Sequence, residues 1–275
     1  MKSKIRYIFI MSCLAMLVFA MTGCGSKTQQ NFPQVLYDDN GLKVTATGYK
    51  VGTIKHSIEI LIENNSGIDY TVMTNETSIN GTMIMGILEG GMGIATGSKA
   101  NCELSFAKKT MKDSNIKEVG IIEVEFLFVN MKDSRGTIET GPLSIVIDSA
   151  KATQTASNGV VILDENGIKV IVEDAVIPIG VGAPEVKLYI ENNTENSAGL
   201  EISNVVVNGY SVTSVAAAMI APGKTAHTGI QFFPDDFKRN GIKMINSVEF
   251  DILLRDYQGY GDVLAEKDNV SVTFQ

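Results

Sequence analysis

Residues able to do acid–base, nucleophilic or metal chemistry are few and scattered in this chain. It holds two histidines, His56 and His227, and three cysteines, Cys13, Cys24 and Cys102. A zinc or transition-metal centre needs several nitrogen, sulfur or carboxylate ligands converging, and one histidine per half of the chain without a nearby cysteine pair does not supply them. Each histidine is therefore expected in a solvent-facing or loop position. The same scarcity weighs against a serine or cysteine nucleophile, because the base that activates it is most often histidine. Carboxylates are plentiful. Glu123 and Glu125 lie two apart on one strand face, roughly 7 Å from each other, a separation that a glycosidase could use. That face is the polar side of an amphipathic strand, and Ser247 stands at the place of Glu123 in a second copy of it. The pair is expected to be solvated.

Three glycine-containing segments also fail as ligand loops. Asp38-Asp39-Asn40-Gly41 and Asp164-Glu165-Asn166-Gly167 lack the alternating spacing and distal glutamate of a calcium loop, and both are expected to be turns. Gly91-Met92-Gly93 with Gly97-Ser98-Lys99 fits neither the dinucleotide nor the Walker phosphate spacing. No catalytic, cofactor-binding or metal-binding residue is assigned, no cofactor is expected, and the chain is expected not to be an enzyme.

Two stretches suit binding better than chemistry. Residues 82–97 interleave Met83, Met85 and other apolar side chains with glycines, an adaptable apolar surface, although a core strand plus loop explains the same composition. Residues 256–262 place Tyr257 and Tyr260 on a glycine-rich hairpin tip, suited to a protein partner or a sugar, although a plain hairpin tip is the simpler account. Met83, Met85, Tyr257 and Tyr260 form the candidate binding surface.

The elements that would position these residues occur twice. Ile58-Glu59-Ile60-Leu61-Ile62-Glu63-Asn64-Asn65-Ser66 and Val186-Lys187-Leu188-Tyr189-Ile190-Glu191-Asn192-Asn193-Thr194 both alternate apolar with polar residues and then enter an Asn-Asn-hydroxyl turn. Asp39-Asn40-Gly41-Leu42-Lys43-Val44 opens the first repeat, and Glu165-Asn166-Gly167-Ile168-Lys169-Val170 opens the second. Asn-Gly supplies the positive φ angles of a tight hairpin turn. Segments 107–117 and 234–243 read as one or two helical turns crossing the end of a sheet. Final strands are expected at 143–147 and 270–274.

About seven short strands per repeat, with regular turn signals and no long helical period, predict an all-β fold of two tandem antiparallel β-sandwich, immunoglobulin-like domains. Their expected bounds are 34–148 and 160–275. Between them, residues 149–159 are small and polar and lack proline, a linker expected to let the domains reorient. Cys102 alternates with Leu104 and Phe106 in a strand pattern and is expected to be a buried structural thiol.

The first 23 residues are an address. Lys2, Lys4 and Arg6 precede an apolar run at 7–20 that is too short to span a bilayer comfortably, followed by Met21-Thr22-Gly23-Cys24. This stretch resembles bacterial lipoprotein precursors, in which cleavage before the cysteine leaves a lipidated first residue. The resemblance implies a cleaved signal peptide (1–23), lipid attachment at Cys24 and a short tether (24–33), placing the protein on the extracytoplasmic face of the cell membrane. Removing the three leader cations from the 23 basic residues leaves 20 against 31 acidic ones, a balance of −11. Such a charge repels nucleic acid, so no nucleic-acid partner is expected.

With the repeats side by side, the chain resembles tandem immunoglobulin-like lipoproteins of unknown function from Gram-positive bacteria. The resemblance rests on the Asn-Gly-apolar-Lys-Val openings, the Glu-Asn-Asn-Ser/Thr exits and the Gly-Lys turns. It implies surface exposure and binding, and no site residue comes with it. The expected partner is an envelope protein, with wall glycan as a second class. The competing expectation is an envelope hydrolase acting on wall sugar or peptide through carboxylates.

Overall fold

The computed structural model describes residues 32–91, 93–154, 156–179, 182–257 and 261–274. The leader, Cys24, Tyr260 and the tether up to residue 31 lie outside the described residues.

The first repeat contains β1 (Gln34–Asp39), β2 (Leu42–Val51), β3 (Lys55–Asn64), β4 (Tyr70–Ile79), β5 (Thr82–Met83), β6 (Ile87–Glu89), β7 (Gly93–Ile94), β8 (Ser98–Ala107), α1 (Lys108–Asp113), β9 (Ile121–Asn130) and β10 (Ile138–Val146). The second contains β11 (Val160–Glu165), β12 (Ile168–Val176), β13 (Glu185–Asn192), β14 (Ala198–Val207), β15 (Tyr210–Ser211), β16 (Ser214–Val215), β17 (Met219–Ile220), β18 (Lys224–Phe232), α2 (Pro234–Asn240), β19 (Ser247–Asp256) and β20 (Val263–Thr273).

The Asn-Gly pairs make the tight turns their chemistry predicts. Asn40 and Gly41 sit at φ 52° and 73° between the paired residues Asp39 and Leu42. Asn166 and Gly167 repeat this at 51° and 83° between Glu165 and Ile168. Both central residues of such a turn need positive φ, which asparagine and glycine tolerate best.

Each repeat is a two-sheet sandwich with the strand order of an immunoglobulin domain. In the first, β2-β3-β8-β6 forms one sheet with β1 added at its edge, and β4-β9-β10 forms the other. In the second, β12-β13-β18-β16 faces β14-β19-β20, with β11 added in the same way. Period-two alternation sends one side of each strand into the space between the sheets. Ile58, Ile60 and Ile62 of β3 meet Val124, Phe126 and Phe128 of β9 in one core. Val186, Leu188 and Ile190 of β13 meet Val248, Phe250 and Ile252 of β19 in the other. Each fully buried side chain of this size contributes about 1.5–3 kcal/mol relative to exposure. Met111 of α1 and Phe237 of α2 are buried, so each short helix closes one end of its sandwich. The last strand of each repeat is longer than its apolar pattern alone predicts. In β10 the register shifts between Glu139 and Pro142, where Gly141 has φ 64°, and such an irregularity breaks the alternation on which the expectation rested.

The linker is not the only connection between the repeats. β5 pairs in parallel with β18 through Thr82 and Thr225, so β10-β9-β4-β5-β18-β13-β12-β11 is one continuous path of paired strands across both repeats. The Thr225 amide donates to the Gly81 carbonyl at 3.0 Å, and the two threonine hydroxyls bond each other at 3.1 Å while buried. Met83 packs against the core of the second repeat. Within the linker, Ser149–Lys151 forms a 3-10 turn, and the Lys151 carbonyl accepts from Asn80 Nδ2 at 3.1 Å. These bonds take up backbone groups that a loose linker would leave to water.

Candidate functional site

The strip Ala217–Met219 is the wall shared by two adjoining grooves. It is held by the pairs Ala198 with Ile220 and Gly199 with Met219, and by the Leu200 amide, which donates to the Ala218 carbonyl at 2.9 Å. On one side lies a groove of about 790 Å³ floored by Gly199 and Leu200 and bounded by Tyr257, Glu201 and Arg255. Tyr257 is 60% exposed, directly after β19. A Cβ at position 199 would lie 3.2 Å from its ring atom Cδ2, so glycine there lets the tyrosine lie close to the sheet. Glu201 and Arg255 face each other at 3.5 Å, both well exposed, which makes them a polar rim rather than a source of stability.

On the other side of the strip is a cleft of about 550 Å³ between the repeats, bounded by Glu76, Met83 and Met85. Met85 is 75% exposed. Met83 is half-buried against the second core, so it contributes to the contact between repeats as well as to the cleft. Burial pushes the Glu76 carboxyl above the usual carboxylate range, and the neighbouring Glu125 adds to this, against the lowering effects of Lys224 and the Ser197 hydroxyl. That hydroxyl donates to Glu76 at 3.3 Å. Three of the four expected surface residues, Met83, Met85 and Tyr257, thus gather around one strip of chain. Tyr260 and Cys24 lie outside the described residues. Sequence reasoning missed Ala217–Met219 and Glu76, because small residues and a lone carboxylate carry no pattern.

The histidines do not face solvent as expected. His227 lies on β18 with its side chain only 7% exposed, Nδ1 3.0 Å from Glu173 Oε2 and its ring centroid 5.0 Å from that of Tyr189. Glu173 also accepts from the Ser157 hydroxyl at 2.7 Å. His56 is half-buried on β3, with Nδ1 2.5 Å from the Tyr49 hydroxyl. Both sit on strands, where His56 pairs with Phe106 and His227 with Tyr189. Cys102 is buried, as its alternation predicts, and burial pushes its thiol up.

Glu123 is only partly solvated. It forms a half-buried ion pair with Lys224 of the other repeat and accepts from Ser78 at 3.1 Å, while Glu125 accepts from Asn75 at 2.9 Å. Its counterpart is Glu249 rather than Ser247, since Ile79 pairs with Ile122 where Val207 pairs with Val248. Among the described residues, no three histidine, cysteine or acidic side chains are grouped so as to hold a metal ion. No helix among them is long and apolar enough to cross a membrane.

No protein-family model and no curated protein matches the chain. Similar solved structures include a conserved domain protein from Bacillus anthracis, 12% identical with a TM-score of 0.28, covering 90% of this chain and 93% of that one. A protein of unknown function from Porphyromonas gingivalis W83 is 12% identical with a TM-score of 0.21, covering 85% of this chain and 100% of that one. Red sea bream transglutaminase is 12% identical with a TM-score of 0.22, covering 85% of this chain and 31% of that one. These scores are too low to carry a functional argument.

Proposed function

We propose that the protein is a membrane-anchored, extracytoplasmic binding module without enzymatic activity, whose groove beside Ala217–Met219 takes an extended segment of another envelope protein. The lipid on Cys24 would hold it at the membrane, as the leader's resemblance to lipoprotein precursors implies. The observation that carries the binding role is the placement of Tyr257 over a groove of about 790 Å³ with a largely apolar floor and the Glu201 and Arg255 charges at its rim. Protein interfaces share this arrangement of apolar centre and polar edge, and tyrosine is enriched among the residues that dominate their affinity. Cross-linking of the anchored protein in intact cells tests the reading. One abundant envelope protein should be captured, and replacing Tyr257 with alanine should reduce its yield. A capture pattern unchanged by that substitution would remove the groove from the account.

A second reading, an envelope hydrolase acting through carboxylates, is favoured only by Glu76, a cleft carboxyl raised by burial with Glu125 as an electrostatic neighbour. It predicts turnover of wall sugar or peptide that Glu76→Gln abolishes. A binder loses nothing catalytic in that variant.

A further inference from the structure

The far end of the first sandwich carries a third concavity, unlike the two grooves around residues 217–219 in its charge. Here α1 crosses the open end of the sheets, and a pocket of about 610 Å³ lies among His56, Met111, Ile116 and three lysines, Lys108, Lys112 and Lys117. The neighbouring charges are already matched. Lys109 pairs with Asp113 at 2.5 Å, and Glu118 pairs with Lys151 at 3.2 Å. None of the three pocket lysines has a carboxylate within ion-pairing distance among the described residues, in a chain whose net charge is −8. Three uncompensated cations around one concavity repel one another, and an anion between them relieves that repulsion.

His56 adds a directed donor. Burial pushes the Tyr49 phenol up to about 12, so it keeps its proton, which it can donate to His56 Nδ1. Burial, followed by the charge of Lys108, lowers His56 and favours the neutral ring, and with Tyr49 donating to Nδ1 the hydrogen rests on Nε2. The second repeat is built differently at the same place. Phe237 stands at the position of Met111 and stacks on Phe232 at 5.4 Å, Pro184 replaces His56, and α2 opens with Asp235 and Asp236. The second repeat keeps Lys238 and Lys243 at the positions of Lys112 and Lys117 but has Pro234 at that of Lys108, so the third cation and the histidine are particular to the first repeat.

We infer that the pocket beneath α1 binds a phosphate-bearing anion, with Lys108, Lys112 and Lys117 supplying charge, His56 Nε2–H donating a hydrogen bond, and Met111 and Ile116 contacting the apolar part of the ligand. Phosphate is favoured over a carboxylate because its charge and several acceptor oxygens can engage separate ammonium groups at once. The source is either a soluble phosphate compound or the headgroup of an anionic lipid.

The test uses full-length protein with isotope-labelled histidine, whose two imidazole signals are assigned through His56→Gln. Inorganic phosphate is added at constant pH and ionic strength, and vesicles of phosphatidylglycerol are compared with vesicles of phosphatidylcholine. The His56 signal should move saturably while that of His227, buried against Glu173, stays fixed. Replacing all three lysines by alanine should weaken the response about tenfold or more, as loss of charge-assisted contacts implies, without lowering the unfolding temperature. A response to phosphate alone assigns a soluble ligand, and one confined to phosphatidylglycerol vesicles assigns a lipid headgroup. No saturable movement with either probe, or an equal response in the triple variant, overturns the inference.

Discussion

Asn64 and Asn192, 128 residues apart, are each fully buried and make the same four hydrogen bonds. Asn64 Nδ2 donates to the carbonyls of Ile68 at 2.8 Å and Ile94 at 3.0 Å, and Oδ1 accepts from the Ser66 amide and hydroxyl. Asn192 Nδ2 donates to Asn196 at 2.8 Å and Ile220 at 2.7 Å, and Oδ1 accepts from the Thr194 amide and hydroxyl. Each amide therefore staples the exit of β3 or β13 to the strand carrying the following crossover. In the second repeat, one of those bonds holds Ile220, at the end of the strip that walls the binding groove.

Replacing either asparagine by alanine strands one buried carbonyl, that of Ile94 or Ile220, and a turn amide, and removes a bond to a second, part-buried carbonyl. Each such group costs about 1–3 kcal/mol when left unpaired, so a total loss of about 2–4 kcal/mol per site is expected after relaxation. Denaturant unfolding should show the two losses to be equal within error. A loss below about 0.5 kcal/mol at either site would show that the bonds are replaced by water.

The joint between repeats should make them unfold together. Removing Lys224 leaves Glu123 half-buried without its cation, and Lys224→Ala is expected to cost about 1–2 kcal/mol, less than a fully buried pair because both partners retain some solvent. Calorimetry on the wild type should give one transition, and the variant should broaden or split it. Two separate wild-type transitions would contradict a mechanically continuous sheet.

Glu76 should set part of the acid side of the stability profile. Its folded value is raised above the ordinary 4.5, so the native state holds the proton more tightly than the unfolded chain. Its contribution is complete below that ordinary value and is lost as pH rises through the raised one. Glu76→Gln should therefore gain in unfolding temperature relative to wild type between about pH 4 and pH 7. A difference independent of pH would show that burial does not act on this carboxyl.

His56 acts in the opposite sense. Its folded value is lowered from 6.5, so the unfolded chain binds the proton more readily. The stability tied to the neutral ring is present above 6.5 and is lost as pH falls through the lowered value. His56→Gln, which retains an acceptor for Tyr49, should flatten the decline in unfolding temperature below about pH 6.5. An unchanged slope would assign that decline to other groups.

Much of the fold is local and was legible. Asn40-Gly41 and Asn166-Gly167 specify their turns through backbone conformation alone, and the alternation at Ile58, Ile60 and Ile62 assigns an inward face without knowledge of a partner sheet. The site was less so. Glu123 and Met83 sit where an isolated sandwich faces water, and their burial follows from pairing and packing between the repeats, whereas His227 is covered by Glu173 and Tyr189 of its own repeat. Thr82 and Thr225 are 143 residues apart, and neither carries a signal that they meet. Tyr257 was marked by its side chain, whereas Ala217–Met219 became a wall only through its pairing with β14.

The binding role is tested most directly by a photo-reactive residue placed at position 218, on the wall shared by both grooves, in the lipid-anchored protein in living cells. The same residue at position 144, exposed on β10 of the first repeat, serves as the reference. The account predicts one dominant adduct to an envelope protein from position 218, reduced when Tyr257 is alanine, and none from position 144. Equal capture from both positions, or an adduct indifferent to Tyr257, would contradict it.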